Sequence, residues 1–428
     1  MVQATHRELL PGVQLTAVHT NKFKTCVIGV HLLAPLDEAT ASLNALLPQV
    51  LRRGTRRHPD MESLSAALDE LYGGSVEPMV RKKGETQCIG FMGSFLDDVY
   101  TPDGAMILES AAALMGDLLL RPALENGGFR PDYVAGERAN LADRIRAQMN
   151  NKRQYSVLRT ARIMCEEEPY GVDALGDEAR ASAITGEALW ERYHTLLTTA
   201  PVAIYYCGSA PVARVEEALK RALDGLPRTG PRSLPPCTAR PDPFHQPPLF
   251  VEERLDVAQG KLAMGFRTGG ASAAREDLPA LLVCNAVFGG TTTSKLFMNV
   301  RERLSLCYFA SSMVERYKGI MLVSSGIEFD KFAQTRDEIL AQLEACRAGQ
   351  IEESEMEAAR RSLISSLHST LDAHGRLEDY WLGHAAAGLT EGPEALARRV
   401  EPVTKEQVAR AARGIALDTV YFLRGKGA

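Results

Sequence analysis

Val287-Phe288-Gly289-Gly290-Thr291-Thr292-Thr293-Ser294-Lys295-Leu296-Phe297 runs on into Val300-Arg301-Glu302-Arg303 and then Leu306-Cys307-Tyr308. Apolar residues at three-and-four spacing predict a helix over 278–288 and, past the Gly/Thr turn, a second over 294–303. Strands are predicted at 307–315 and 320–327, joined through Tyr317-Lys318-Gly319. A glycine-rich turn ahead of a helix can cradle an anion. The plainer reading is a flexible turn whose Thr and Ser residues cap the helix. The passage from helix end to strand lets Arg301 and Tyr308 sit on one wall. Arginine offers five donors to a carbonyl or carboxylate, and a tyrosine hydroxyl can steady a developing oxyanion. Equally, Arg301 can pair with a helix carboxylate and Tyr308 can simply pack.

Around this stretch the second half of the chain opens with strands at 250–255 and 260–266. It continues after 327 with long helices at 330–348 and 353–370 and a closing strand at 419–423. The first half reads in a similar order. It has extended segments at 13–19 and 25–33, helices at 39–51 and 61–71, and strands at 75–82 and 85–95 joined through Lys83-Gly84. Long helices follow at 103–120 and 132–148, and a closing strand at 202–207. Between the halves, 224–248 is rich in proline (Leu234-Pro235-Pro236, Gln246-Pro247-Pro248). Proline blocks helix and central strand alike, so an extended linker is expected there. The expectation is an α+β protein of two lobes, 1–223 and 249–428, each an antiparallel-rich sheet covered by helices.

With 428 residues the chain is too long for one ordinary core. It is 45% hydrophobic and 24% charged, which is globular, and its net charge of −5 offers no broad basic footprint for nucleic acid. No apolar run reaches the length of a membrane span, and the first residues lack the pattern of a signal peptide. The eight cysteines are scattered without a C-x-x-C, which suits buried thiols in a reducing cytoplasm.

A metal site needs ligands at helical or turn spacing. The nine histidines include no H-E-x-x-H and no H-x-x-E-H. His368 and His374, the nearest pair, are spaced for different faces of a helix. No G-x-S-x-G, Walker A or Rossmann fingerprint occurs at a strand-to-helix turn.

The opening stretch resembles the C-terminal lobe of the pitrilysin/insulinase/mitochondrial processing peptidase family, where a Gly-rich turn is followed by Ser-x-Leu-Phe, an Arg-Glu helix end and Leu-x-Tyr. The resemblance covers nearly the whole chain. It includes Pro169-Tyr170-Gly171 before Leu175-Gly176, the strand Tyr205-Tyr206-Cys207, and Ala258-Gln259-Gly260-Lys261-Leu262. It implies a clam-shell half built of two homologous lobes. It also implies that Arg301 and Tyr308, which match in type and spacing, bind substrate backbone and stabilise the transition state. The departure is at the family's metal motif. Active members carry H-x-x-E-H shortly before a Gly-Thr, here Gly54-Thr55. By that alignment Ala45 replaces the first His, Pro48 the catalytic Glu and Gln49 the second His. Arg144, with Asp143 beside it, falls where the third ligand would be. That set cannot hold Zn²⁺, and the general base is gone.

The chain therefore resembles the inactive subunits of two-chain members, on 21–25, 34–36, 46–48, 68–73 and 82–85 in particular. The resemblance implies a zinc-motif-bearing homologous subunit as partner, zinc in that partner and none in this chain, a peptide substrate, and self-pairing into a homodimer when the partner is missing. Two other readings stand beside it: a peptide-binding or scaffold protein with no peptidase role, and a stand-alone peptidase with an unfamiliar site.

Overall fold

The computed structural model describes residues 4–227 and 233–426, so residues 228–232 of the expected linker, Pro231 among them, lie outside the described residues. The chain forms two compact units. The first comprises Met1–Arg146, Val172–Pro236 and Ala373–Gly392, and the second Ala147–Gly171, Cys237–Asp372 and Pro393–Ala428. The step from Pro236 to Cys237 falls inside the proline-rich stretch. Two further segments change unit, and a division into contiguous halves does not contain them.

The first unit is built on a six-stranded mixed sheet: β1 (Ala4–Leu10), β2 (Val13–His19), β3 (Thr25–Pro35), β4 (Ser75–Lys83), β5 (Thr86–Leu96) and β6 (Val202–Gly208), in the order β1-β2-β6-β3-β5-β4. Only β2 and β6 run parallel. All seven residues of β6 are buried, as an uninterrupted apolar run covered on both faces should be. Helices Ala41–Leu51, Met61–Glu70 and Leu108–Leu120 close the core, in which Leu46, Leu64 and Leu118 join Leu15, Ile28 and Phe91. The Met61–Glu70 helix starts on a capping box between Asp60 and Ser63, which satisfies two backbone donors of its first turn.

The second unit holds five strands: β7 (Leu249–Leu255), β8 (Gly260–Arg267), β9 (Cys307–Glu315), β10 (Ile320–Ile327) and β11 (Ala416–Gly425), ordered β9-β10-β8-β11-β7. Only β7 and β11 run parallel. Taken from β7, this sheet repeats β2-β6-β3-β5-β4 with the same sense at each pairing, and β1 alone has no counterpart. Leu262, Met264, Phe266, Val323 and Phe422 supply its core.

The exchanged segments are held by apolar contacts and buried charge together. In the second unit the helix Lys152–Met164 lies on β8, β10 and β11, with Ala161 and Met164 against Ile320 and Leu322. Past its end, Glu168 takes Arg267 at 2.7 Å and Lys318 at 2.5 Å. In the first unit the helix His374–Ala386 lies on β3 and β6, with Leu382 and Ala386 against Leu33, Cys88 and Ala203. Its Glu378 takes His31 Nε2 at 2.8 Å and the Arg81 guanidinium.

Two predicted helices take a different form. The first is α-helical only over Leu278–Asn285 and widens to a π-turn over Ala286–Gly290; the second is π-helical over Leu296–Arg303. The wider turn lets Gly289 lie against β9, where a Cβ would sit 2.6 Å from Ser312 Oγ and 2.7 Å from Leu296 Cδ1. His368 and His374 fall on separate helices, Glu353–Thr370 and His374–Ala386, rather than on faces of one. All eight cysteines are free thiols, and only Cys237 is exposed. Burial pushes the thiols of Cys26, Cys88 and Cys346 up to about 12, so they stay protonated at neutral pH. No helix among the described residues is long and apolar enough to cross a membrane.

Candidate functional site

The two sets of residues singled out by sequence lie in different units. In the first unit, Ala45, Pro48 and Gln49 belong to the helix Ala41–Leu51, and Ala45 and Pro48 are buried. Pro48 brings no N–H, so the helix loses one internal hydrogen bond there. Buried amides anchor the helix instead. Asn44 donates to Gln87 Oε1 at 2.7 Å and accepts from Arg192 Nε at 2.7 Å, while Gln87 donates to the carbonyl of Ala41 at 3.0 Å. Arg144 is exposed on the helix Pro131–Ala147. On that helix Glu137 accepts from Arg53 at 3.2 Å and from Asn140 at 3.1 Å.

These residues do not fit a zinc ion. Alanine and proline side chains present no donor atom, glutamine presents a neutral amide, and arginine a permanent cation. Among the described residues no group of three or more His, Cys, Asp or Glu side chains is placed to hold a metal.

In the second unit, Arg301 lines an open cleft of about 770 Å³. Its walls are the turn Gly289–Gly290–Thr291–Thr292–Thr293, the rings of Phe297 and Phe309, and the side chains of Arg153 and Arg361. The π-helical run Leu296–Arg303 carries both Phe297 and Arg301, and Arg301 stacks over the Phe297 ring at 4.7 Å. Long π-helical runs are rare and are frequently found at functional sites. Arg153 reaches the cleft from the exchanged helix, stacks over Phe309 at 4.0 Å and donates to Ser311 Oγ at 3.0 Å. The stacks fix the planes of two guanidinium groups and leave N–H donors at their edges beyond those that Ser311 and Glu302 engage. The turn does what a capping turn does: Ser294 Oγ accepts from the N–H of Phe297 at 3.4 Å, and Thr291 Oγ1 donates to the carbonyl of Ala286 at 3.2 Å.

Tyr308 stands apart from this lining. It is the extra residue of a bulge in β9, since Cys307 pairs with Ile327 and Phe309 with Gly326. Its side chain is exposed and its hydroxyl donates to Glu328 at 2.8 Å, which raises its pKa and keeps the phenol protonated. Arg301 has one carboxylate nearby, Glu302 at 3.5 Å on its own helix.

Arg153, Phe309 and Arg361 were not singled out from sequence. Arg153 lies in 152–164, which the helical pattern left unassigned, and it reaches the cleft only because that segment joins the second unit. Arg361 lies on the predicted helix 353–370, and only tertiary packing says what its exposed side faces.

The model for the peptidase M16 inactive domain matches residues 183–363. The chain is 36% identical to a probable inactive metalloprotease, YmfF, of Bacillus subtilis over 97% of this chain and 96% of that protein. An uncharacterized zinc protease, YmxG, of the same organism is 24% identical over 47% of this chain and 48% of its own length. Among solved structures, a conserved protein from Enterococcus faecalis V583 superposes with a TM-score of 0.89 at 27% identity, covering 100% of this chain and 99% of that one. A protease from Helicobacter pylori shares the fold at a TM-score of 0.80 and 15% identity, covering 99% of this chain and 100% of that one. The family model and a 36% identity to a probable inactive metalloprotease over nearly the whole length lead to one assignment: the chain belongs to the M16 peptidase family, inactive-domain type.

Proposed function

We propose that this chain is the non-catalytic subunit of a heteromeric zinc-dependent peptidase, which helps bind peptide substrate and contributes Arg301 and Tyr308 to the active site of a zinc-motif-bearing homologous partner. The observation that carries the reading is a contrast. Arg301 is exposed in an open cleft, on a π-helical turn, stacked on Phe297. The helix Ala41–Leu51 has no side chain that could hold the metal. A decayed enzyme would have no reason to keep the first feature after losing the second.

The test mixes the purified chain with a zinc-motif homologue and follows cleavage of a quenched fluorescent peptide, with a chelator as control. Cleavage should depend on both chains and fall when this one carries Arg301→Ala. Equal cleavage with and without this chain would sink the reading.

Tyr308 favours a second reading, a peptide-binding or scaffold protein without a peptidase role. Its hydroxyl is committed to Glu328 and would have to exchange that bond to meet a reacting oxygen. On that reading peptide binds the isolated chain and no partner restores turnover.

A further inference from the structure

We infer that the cleft around Arg301 selects carboxylate-bearing peptide segments, through Arg153 and Arg361 acting beside Arg301. The inference rests on the proposal above that the cleft receives peptide, and it names the chemistry it prefers.

The cleft lining contains three arginines and no Asp or Glu. Beyond the lining, Glu302 meets Arg301 alone. This concentration of positive charge sits on a chain whose net charge is −5. Like charges gathered in one concavity repel, and a bound anion relieves that repulsion while raising its own local concentration. Arg153 is felt beyond its own contacts: burial first, and then its charge, lower the pKa of Lys261. Arg153 and Arg301 are presented as flat forks by Phe309 and Phe297, the geometry that takes a carboxylate through two parallel hydrogen bonds. The hydroxyls of Thr292, Ser362 and Ser365 line the same space and can donate to a second oxygen.

Peptide is favoured over other polyanions by the wall itself. Phe309, Ala310 and Ser311 belong to β9, an edge strand of the sheet. The backbone of an extended strand and the two aromatic rings suit an extended peptide with carboxylates along it. Nucleic acid would call for a broad basic surface, which a net charge of −5 does not favour.

The experiment measures binding of fluorescein-labelled peptides to the full-length chain alone by anisotropy, with no zinc partner present. One peptide carries Asp and Glu side chains with an amidated end. One carries neutral side chains with a free terminal carboxylate. One is the amidated Asn/Gln counterpart of both, and a short single-stranded oligonucleotide completes the set. At least one carboxylate peptide should bind about tenfold or more tightly than the neutral counterpart, the scale of one hydrogen bond to a charged group. Which of the two does so tells side-chain from terminal carboxylate. The ratio should shrink as salt is raised, and should fall toward one in Arg153→Gln/Arg361→Gln, both exposed positions, with circular dichroism confirming the fold. Equal binding of acidic and neutral peptides, no binding, a ratio unchanged in the double variant, or an oligonucleotide bound as tightly as the acidic peptide would each overturn the inference. Selective binding without partner-dependent cleavage would keep it and remove the subunit role; unselective binding with cleavage would do the reverse.

Discussion

Glu378 in the first unit and Arg301 in the second are both charged, and their surroundings differ in every respect that matters to a ligand. Glu378 is fully buried, with His31 and Arg81 on its two oxygens. Burial opposes its ionisation, and the hydrogen bonds and charges of His31 and Arg81 outweigh burial, drawing its pKa down to about 2. Arg301 is 42% exposed, touches one flexible carboxylate and is otherwise held by a ring. The first arrangement uses charge to hold a helix in place. The second leaves charge available. The helix Ala41–Leu51 falls with the first kind: apolar packing and an amide network hold it in place.

The sharpest break in this contrast would come from Glu378→Ala. Removing the carboxylate strands His31 and leaves Arg81 only the longer contact to Asp379 at 3.4 Å, and the expected cost is about 3–5 kcal/mol, read as a lower urea midpoint at unchanged slope. A loss below about 1 kcal/mol would mean the network holds little. Acid titrates the same feature. Because the folded pKa lies below the ordinary value, the contribution of Glu378 is fully present above about pH 4.5 and is lost as pH falls toward about 2. Its size is about 3 kcal/mol, and the acid limb should flatten in Glu378→Gln.

Arg301→Ala probes the other side. It should leave stability within about 0.5 kcal/mol while lowering partner-dependent turnover about a hundredfold; a stability loss as large as that of Glu378→Ala would erase the distinction. Ala45→His tests how tightly the helix Ala41–Leu51 is packed. Its larger ring in a fully buried position should cost about 1–3 kcal/mol, and a neutral outcome would reveal spare room there.

Much of this was legible in the residues. Strands 307–315 and 320–327 and the helix 353–370 stand where periodicity puts them; all eight residues of 320–327 are buried, and the helix turns Met356 and Ala359 inward. Three things were not legible. The π-helical turns share the apolar spacing of an α-helix, so the sequence does not announce the wider turn that brings Gly289 against β9. Lys152–Met164 reads Lys-Arg-Gln-Tyr-Ser-Val-Leu-Arg, which is too polar to announce that one face will cover a sheet. Tyr308 is turned toward Glu328 by a bulge, and a bulge leaves little trace in a β-rich sequence.

The exchanged helix also imposes a timetable on the chain as it is made. The last strand of the first sheet ends at Gly208, and its covering helix begins at His374, roughly 165 residues later. At about 5–20 residues per second, the nascent sheet waits on the order of ten to thirty seconds with Leu33, Cys88 and Ala203 uncovered and His31 without its carboxylate. A chain stopped at residue 372 would stay in that state. Its first unit should be cut by protease far faster than that of the full chain, even though every strand of its sheet is present.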